Sequence, residues 1–384
     1  MTEPTPHPSS TLINPPVRNN APWEEYRRPY VRDLAYALAC PNVLTKWLDF
    51  TPHENTAAIA VHSASFWGGQ YDAYRARLVE LDTTNAYQGL TRYLLTRPSP
   101  NRLGFHFEGL LSFWLTDGYA RGLHPYEIIA SNVQLFRGKQ TTGELDLILY
   151  NHQEKLTEHW ELAIKFFMGS APFAPENWVG INSNDNLQRK MTHMQTKQFC
   201  TVWVDTKDHG QVKIDKRYAV IKGRFFLPTT IADFTYPDWL VPSFPMHRWL
   251  AAPNSQNLNS QKPQATHETA QESSQPKEDL LRNAETTIEI LIDATVIRRA
   301  HYIEWFTQRD FYNSDYIEHS RENNKDDSNN KRPPTLETLP QGFYFIKTAA
   351  NRKSSSEELL SQERYEPLVI LQTDVNAGQD SLSD

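Results

Sequence analysis

Ionisable residues interrupt two apolar, strand-like runs that follow one another along the chain. The first run, GELDLILY, carries Asp146, and the second run, HWELAIKFF, carries Glu161 and Lys165. Because side chains alternate between the two faces of a strand, Glu161 and Lys165 share one face with Ala163, and the opposite face is wholly apolar. Burying a carboxylate or an ammonium group is costly unless the group is paired or binds a metal ion. The spacing therefore favours a cleft over an ordinary solvent-facing strand.

The first run is expected to divide in the same way, with Asp146 on one face and an apolar face that carries Leu145, Leu147 and Leu149. A helix that precedes both runs carries Glu108 on the flank of its apolar stripe, from which Glu108 is expected to reach the strand edge. Carboxylates that converge from separate elements suit a hard divalent cation, which binds oxygen ligands and usually also coordinates water and phosphate oxygens. We therefore expect Mg²⁺ or Mn²⁺ as the cofactor.

The carboxylates and the lysine are expected to have different roles in phosphodiester hydrolysis. Asp146, Glu161 and Glu108 are the candidate metal ligands. Lys165 is the candidate catalytic cation, placed to orient water or to neutralise the charge that develops on the phosphate. His106 and His159 are weaker candidate ligands, because a lone histidine is more often a hydrogen-bonded structural residue.

The elements around these residues are predicted by periodicity. A helix with the apolar stripe Leu103, Phe107, Leu110, Leu111, Trp114 and Leu115 is followed by three strands, a second helix and a further strand. Asp185 or Asn184 is the expected N-cap of the second helix. The predicted fold class is α/β, a mixed central sheet flanked by helices with a helical N-terminal region and a C-terminal extension.

Composition shifts suggest where the units of the chain begin and end. We expect residues 1–22 to be a disordered N-terminus, 23–100 a helical region, 101–250 the core and 251–282 a flexible insert. Residues 283–372 are expected to form an α/β extension that contains a second flexible insert at 320–338, and residues 373–384 a disordered tail.

Charge and cysteine content narrow the possible classes of protein. The net charge of the 384-residue chain is -7, which argues against a globally basic nucleic-acid coat but allows a local basic patch. The 2 cysteines, Cys40 and Cys200, are too few for a disulfide framework or a cysteine-based zinc site. No secretory leader and no membrane-spanning run are expected, and a cytoplasmic location is predicted.

The quoted motifs resemble a known family. The strings VRDLAYALACP, RLGFHFEGLLSFWL, GELDLIL, HWELAIKFF and WVGINSNDNLQRK are similar to a bacterial family called domain of unknown function 1853, assigned to the PD-(D/E)xK nuclease superfamily. The resemblance covers most of the chain from about Arg32 to Trp249. It implies a restriction-endonuclease-like core, Asp146 and Glu161 as metal ligands, Lys165 as the catalytic lysine and Glu108 as an accessory acid.

The sequence departs from the superfamily pattern in one important place. The usual acid lies two residues before the lysine, and that position is Ala163 here. Glu161 lies two residues further back, on the same face but displaced by roughly 6.6 Å at the rise of a strand. Either the longer side chain of Glu161 and a shifted register restore the metal site, or the site is inactive.

Positive charge follows the third strand. Between Asn186 and Phe226 there are 9 Lys or Arg against 3 Asp, a net charge of +6. In the superfamily this helix and strand flank the substrate phosphates, so the resemblance implies that Arg189, Lys190 and Lys222 bind nucleic acid.

Three functional interpretations stay open at this stage. The first is a Mg²⁺-dependent nuclease or other phosphodiesterase that acts on nucleic acid. The second is a catalytically inactive module that keeps the nuclease fold and binds nucleic acid or a protein partner, which Ala163 favours. The third is a structural sheet in which Glu161 and Lys165 pair with each other.

Overall fold

A computed structural model describes the chain over residues 21–50, 58–100, 102–137, 140–182, 184–231, 233–242, 244–253, 296–300, 302–307, 341–347 and 366–373. The predicted inserts at 251–282 and 320–338, the N-terminus at 1–22 and the tail at 373–384 lie almost wholly outside these residues. Across the described ranges, no helix is long and apolar enough to cross a membrane.

Five α-helices occur in the described part of the chain: α1 (Pro29–Ala39), α2 (Ala64–Thr83), α3 (Tyr87–Leu95), α4 (Leu103–Ala120) and α5 (Leu187–His193). Helix α1 begins with Pro29 and ends at Ala39. The next residue, Cys40, has an extended backbone (ψ 126°), which is the conformation favoured before a proline such as Pro41. Ser63 caps α2, because its hydroxyl oxygen accepts a hydrogen bond of 3.1 Å from the backbone N–H of Phe66. Helices α1, α2 and α3 lie in the N-terminal part of the chain, where the sequence predicts helices.

The strands are β1 (Ile59–Ala60), β2 (Tyr126–Arg137), β3 (Gln140–Asn151), β4 (Leu156–Gly169), β5 (Trp178–Val179), β6 (Trp203–Thr206), β7 (Gly210–Lys213), β8 (Lys216–Pro228), β9 (Met246–Pro253), β10 (Val296–Arg299), β11 (Gly342–Lys347) and β12 (Glu366–Thr373). Strands β6 and β7 form a separate antiparallel hairpin, whereas the main sheet has the order β10-β11-β12-β9-β8-β4-β3-β2, with β1 beside β8 and β5 beside β4.

The main sheet is mixed. Strands β2, β3 and β4 form an antiparallel meander, whereas β8 runs parallel to β4, β9 parallel to β8 and β12 parallel to β9. A parallel neighbour requires a crossover connection, which α5 and the β6–β7 hairpin provide between β4 and β8. The strands from the C-terminal part of the chain therefore extend the same sheet that holds the antiparallel meander at its other end.

Helices cover one face of β4 and the segment after α5 covers the other. Trp160, on the helix-facing side, contacts the aromatic rings of Trp67 from α2 and Trp114 from α4 at centroid distances of 6.1 and 6.4 Å. On the opposite side, the ring of His159 contacts Phe199 at 5.2 Å. The predicted apolar stripe of α4 is buried along its whole length, since Leu103, Phe107, Leu110, Leu111, Trp114 and Leu115 are each at most 6% exposed.

Candidate functional site

Asp146 and Glu161 meet on the neighbouring strands β3 and β4 of the main sheet. The antiparallel register pairs Leu147 with Trp160 and Ile148 with His159, which places Asp146 beside Glu161 at the point where the regular pairing of the two strands ends. The carboxylate of Asp146 turns towards β4 and accepts a hydrogen bond of 2.7 Å from the backbone N–H of Leu162.

Glu161 is almost fully buried, at 1% exposure, and three polar side chains surround it. The amide of Gln198 donates a hydrogen bond to one carboxyl oxygen of Glu161, and Nε2 of His159 lies 3.2 Å from the other. The carboxyl of Asp146 is also within hydrogen-bonding reach. A carboxyl pair of this kind is costly to ionise fully, because both charges lie away from water.

The electrostatics of the two carboxyls reflect that cost. Burial is the largest cause of a rise in the pKa of Glu161 from 4.5 to about 7, which the nearby charge of Lys190 opposes. Burial, and after it the charge of Glu161, also raise the pKa of Asp146 well above its usual value. Near neutral pH the pair therefore retains a proton or attracts a cation.

Glu108 reaches this pair from α4. Burial raises its pKa from 4.5 to about 7, with the charge of Asp146 as the next cause, and a hydrogen bond from the side chain of Asn132 opposes the shift. One of its carboxyl oxygens, Oε2, is buried and has no hydrogen-bond partner in the described structure. Glu108 thus presents a free carboxyl oxygen close to Asp146.

Two lysines lie on the same side of the sheet. Lys165 follows Glu161 on β4 and its Nζ forms an ion pair of 2.6 Å with Asp185 in the loop before α5. The amine of Lys190, on α5, interacts with the charges of Glu161, Asp146 and Asp185, and burial lowers its pKa. The structure therefore brings Asp146, Glu161, Glu108, Lys165 and Lys190 to one place in the fold.

The backbone beneath Lys165 is unusually close to its neighbouring strand. Gly223 of β8 pairs with Lys165 and has a φ of 140°. A Cβ atom at Gly223 would lie 1.7 Å from the carbonyl oxygen of Lys165, so only glycine fits. The close contact between the backbones of Gly223 and Lys165 fixes the position of the lysine along β4.

Lys222 does not lie at this site, which corrects the prediction that it binds substrate. The parallel register pairs Lys222 with Ile164, on the face opposite Glu161 and Lys165. Its side chain is 0% exposed, and Nζ donates hydrogen bonds of 2.5 and 3.3 Å to the carbonyl oxygens of Ala37 and Leu38 at the end of α1. The amine satisfies acceptors at a helix C-terminus and lies 3.4 Å from the centroid of the Trp67 ring, and burial lowers its pKa well below the usual value.

Arg189 remains exposed next to the site. Its guanidinium donates to the carbonyl oxygen of Asn184, and its backbone N–H donates 2.8 Å to the side chain of Asn186. Asn186 is therefore the N-cap of α5, and the prediction of Asp185 or Asn184 for that position is wrong. Asp185 instead pairs with Lys165.

The expected face of Leu145 is also wrong. Leu147 and Leu149 belong to the main core, whereas Leu145 packs with Ile148 in a smaller cluster that includes Val204 and Ile214. Strict alternation therefore fails at Asp146. The adjacent strand is irregular at the same level, where Asn132 has a φ of 53°.

Sequence reasoning missed Gln198 and Asn132 as neighbours of the carboxyls. Gln198 closes the π-helical turn Met194–Gln198, in which the N–H of Phe199 donates 2.9 Å to the carbonyl of Met194. A π turn shifts the side chains that follow it, and such turns are frequent at functional sites. Neither residue belongs to a recognisable motif, and Asp185 lies immediately before a helix, where an acidic residue is typical of an N-cap.

A preformed metal cage is absent from the described residues: they contain no cluster of three or more His, Cys, Asp or Glu side chains arranged to hold an ion. The carboxyl pair with Glu108 nearby is the closest approach to one. His159 borders the pair, whereas His106 lies elsewhere and contacts Asp33 through Nε2 at 2.9 Å.

The fold and this site define a mixed α/β protein with a carboxyl–lysine cluster on strands β3 and β4 of its main sheet. Residues 32–289 match the family described as "Domain of unknown function (DUF1853)", and the chain belongs to that family. No curated protein and no solved structure matches the chain.

Proposed function

We propose that this protein is a Mg²⁺-dependent phosphodiesterase that cleaves nucleic acid on a restriction-endonuclease-like core of the PD-(D/E)xK type. One observation carries the proposal: the carboxyls of Asp146 and Glu161 meet on adjacent strands, with Lys165 and Lys190 beside them. A sheet that needed only mechanical stability would gain more from apolar side chains at these positions.

The donor set fits a hard divalent cation. Mg²⁺ is commonly bound through one or two carboxylates, with water and substrate phosphate oxygens completing its shell, so a preformed cage is not required. Asp146 and Glu161 would hold the ion, and the unpartnered Oε2 of Glu108 is available to a water molecule in its shell. When bound, the ion would supply Lewis-acid activation of water and neutralisation of phosphate charge.

The lysines would act on the substrate. Lys165 is 24% exposed and reaches a surface loop, so its amine can exchange Asp185 for a phosphate oxygen. Lys190, whose charge interacts with Glu161, would balance the carboxyl pair and orient the attacking water through its ammonium protons. The exposed Arg189 would contact a neighbouring phosphate.

One observation favours the second candidate, a nuclease-fold module that binds without cleaving. The position two residues before Lys165 is Ala163, and the amine of Lys165 is already paired with an acid at 2.6 Å. In this form Asp185 would occupy the place of a substrate phosphate.

Cleavage assays separate the two candidates. Purified protein is incubated with single-stranded and duplex DNA and RNA in Mg²⁺, in Mn²⁺ and in EDTA. We expect cleavage with either metal, none in EDTA, and loss of at least about a hundredfold for Lys165→Ala or Asp146→Asn, since each removes a charge from the reaction centre. Lys46→Ala, which removes an exposed lysine paired with Asp238, is the matched control and should retain activity.

Metal binding distinguishes the roles of the residues. Asp146→Asn should weaken Mn²⁺ binding measured by calorimetry, whereas Lys165→Ala should leave it largely intact, because lysine is not a ligand. Ala163→Glu adds an acid at the superfamily position. In an active wild type the added acid increases repulsion and should not raise activity. A wild type that is inactive on all four substrates, together with cleavage by Ala163→Glu, would show that the native site is inactive, as the second candidate requires. Cleavage that persists in EDTA, or is unchanged by Lys165→Ala, would remove the nuclease assignment.

A further inference from the structure

A tryptophan is exposed on the hairpin beside the site. Among the described residues, four large apolar side chains are exposed: Val79, Leu95, Val202 and Trp203. Val202 and Trp203 are consecutive, at 46% and 54% exposure, and Trp203 is the one aromatic residue of the four. An indole left in water on a well-packed domain is available to stack on a flat partner.

The hairpin holds Trp203 firmly in place. The guanidinium of Arg217 donates hydrogen bonds of 2.9 and 2.6 Å to the carbonyl oxygens of Phe199 and Thr201, immediately before the hairpin. The N–H of Ile214 donates 2.9 Å to the carbonyl of Val202. The exposed side chain therefore projects from a fixed backbone, which reduces the entropy lost on binding.

The hairpin rests on the sheet face that carries the carboxyl pair. The inward side chains Val204 and Ile214 pack against Leu145 and Ile148, which flank Asp146 on β3. Ile148 is two residues from Asp146, a separation of about 7 Å along a strand. The hairpin also begins shortly after Gln198, which donates to Glu161.

The surroundings of Trp203 are polar and include positive charge. Lys213 lies directly opposite Trp203 in the hairpin register, on the same outward face, and is exposed. Lys197 is exposed on the turn that leads into the hairpin. Asp205 shares the outward face and accepts a hydrogen bond of 3.3 Å from Gln211. Two neighbouring apolar side chains bordered by charge are a small patch for a protein interface, which usually centres on a broad apolar core.

We propose that Trp203 stacks on an unpaired base of single-stranded nucleic acid, with Lys213 at the adjoining phosphate. This preference for single-stranded substrate rests on the proposed function, because cleavage requires that the unpaired strand also reach the carboxyl pair. In a duplex both faces of each base are already stacked on neighbouring bases, whereas an unpaired base offers a free face to an indole. Stacking of this kind tolerates any base, so it selects strand state and not sequence.

Fluorescence anisotropy of labelled oligonucleotides tests the proposal. Binding to a dT oligonucleotide and to a duplex of equal length is measured in EDTA, where no metal-dependent cleavage interferes. Trp203→Ala should weaken binding to the unpaired strand by roughly tenfold, whereas Trp203→Phe, which keeps a flat ring, should stay within about threefold of wild type. Duplex binding should change less than about twofold, and Leu95→Ala, the matched control at 54% exposure, should change neither.

Several results would overturn the proposal. These are wild-type affinity of Trp203→Ala for the unpaired strand, an equal loss on duplex, or no binding of the wild type to either oligonucleotide. A change in oligomeric state on Trp203→Ala would assign the patch to a second copy of the chain. Trp203-dependent binding without any cleavage in Mg²⁺ would leave this inference standing and refute the proposed catalysis, so the two fail separately.

Discussion

The carboxyl pair should make the metal-free protein less stable at neutral pH. Burial above all raises the pKa of Glu161 from 4.5 to about 7. Since one pKa unit corresponds to about 1.4 kcal/mol, a rise of this size is worth about 3 kcal/mol of lost stability once Glu161 is ionised. The folded protein holds a proton that the unfolded chain releases between about pH 4.5 and 7, so the free energy of unfolding falls as pH rises through this window.

Glu161→Gln removes this titration and keeps an oxygen that accepts from Gln198. We expect the metal-free variant to be more stable than wild type at pH 8, and the gain at pH 8 to exceed the gain at pH 5 by about 2 kcal/mol. Urea unfolding followed by circular dichroism at both pH values measures the difference. Glu154→Gln is the matched control, because Glu154 is exposed and paired with Lys216 at the surface.

Added Mg²⁺ should make the wild type more stable than the Glu161→Gln variant at pH 8. A ligand at a hundred times its Kd stabilises the folded state by about 2.7 kcal/mol, and the wild type retains both carboxylates for the ion. Without added metal, a Glu161→Gln variant that is less stable than wild type at pH 8, or whose difference from wild type does not change between pH 5 and 8, would refute the electrostatic reasoning.

Three further predictions follow from buried residues. Gly223→Ala should destabilise the protein by more than about 3 kcal/mol, because its Cβ would lie 1.7 Å from the carbonyl oxygen of Lys165. Gly210→Ala, at a residue with a φ of 64° and open space around it, should lower the stability measured by thermal unfolding by about 1 kcal/mol. Similar losses for the two variants would refute the close approach of Gly223 to Lys165. Burial lowers the pKa of His62 from 6.5 to about 3, so His62 contributes stability that is present above pH 6.5 and lost as pH falls towards 3. His62→Phe should therefore reduce the loss of unfolding free energy between pH 6.5 and 3, and an unchanged loss would show that His62 does not cause it. Lys222→Met should lower stability without changing the salt dependence of nucleic-acid binding, because Lys222 lies on the opposite face of the sheet; a shallower salt slope would place it in the cleft.

Periodicity predicted the parts of the site that depend on one strand at a time. The alternation along β4 put Glu161 and Lys165 on one side and Trp160 on the other, and the structure has that arrangement. The helical stripe of α4 likewise determined which of its faces is buried, and Glu108 lies on the flank of that face.

The remaining features depend on how elements meet, which periodicity does not encode. The face on which Lys222 lies follows from the parallel register of β8 against β4, and no local pattern specifies that register. Leu145 changes clusters because the strand pair is irregular beside Asn132. Gln198 reaches Glu161 through a π turn, and β7 is too short and polar to have been predicted as a strand.

The most direct test of the central claim is a crystal soaked with Mn²⁺ and measured for anomalous scattering. We expect a single strong peak bonded to one oxygen each of Asp146 and Glu161, with Lys165 and Lys190 close by and not bonded to the ion. A map without a peak at this position, in which the carboxyls of Asp146 and Glu161 still contact each other, would contradict the proposed metal site.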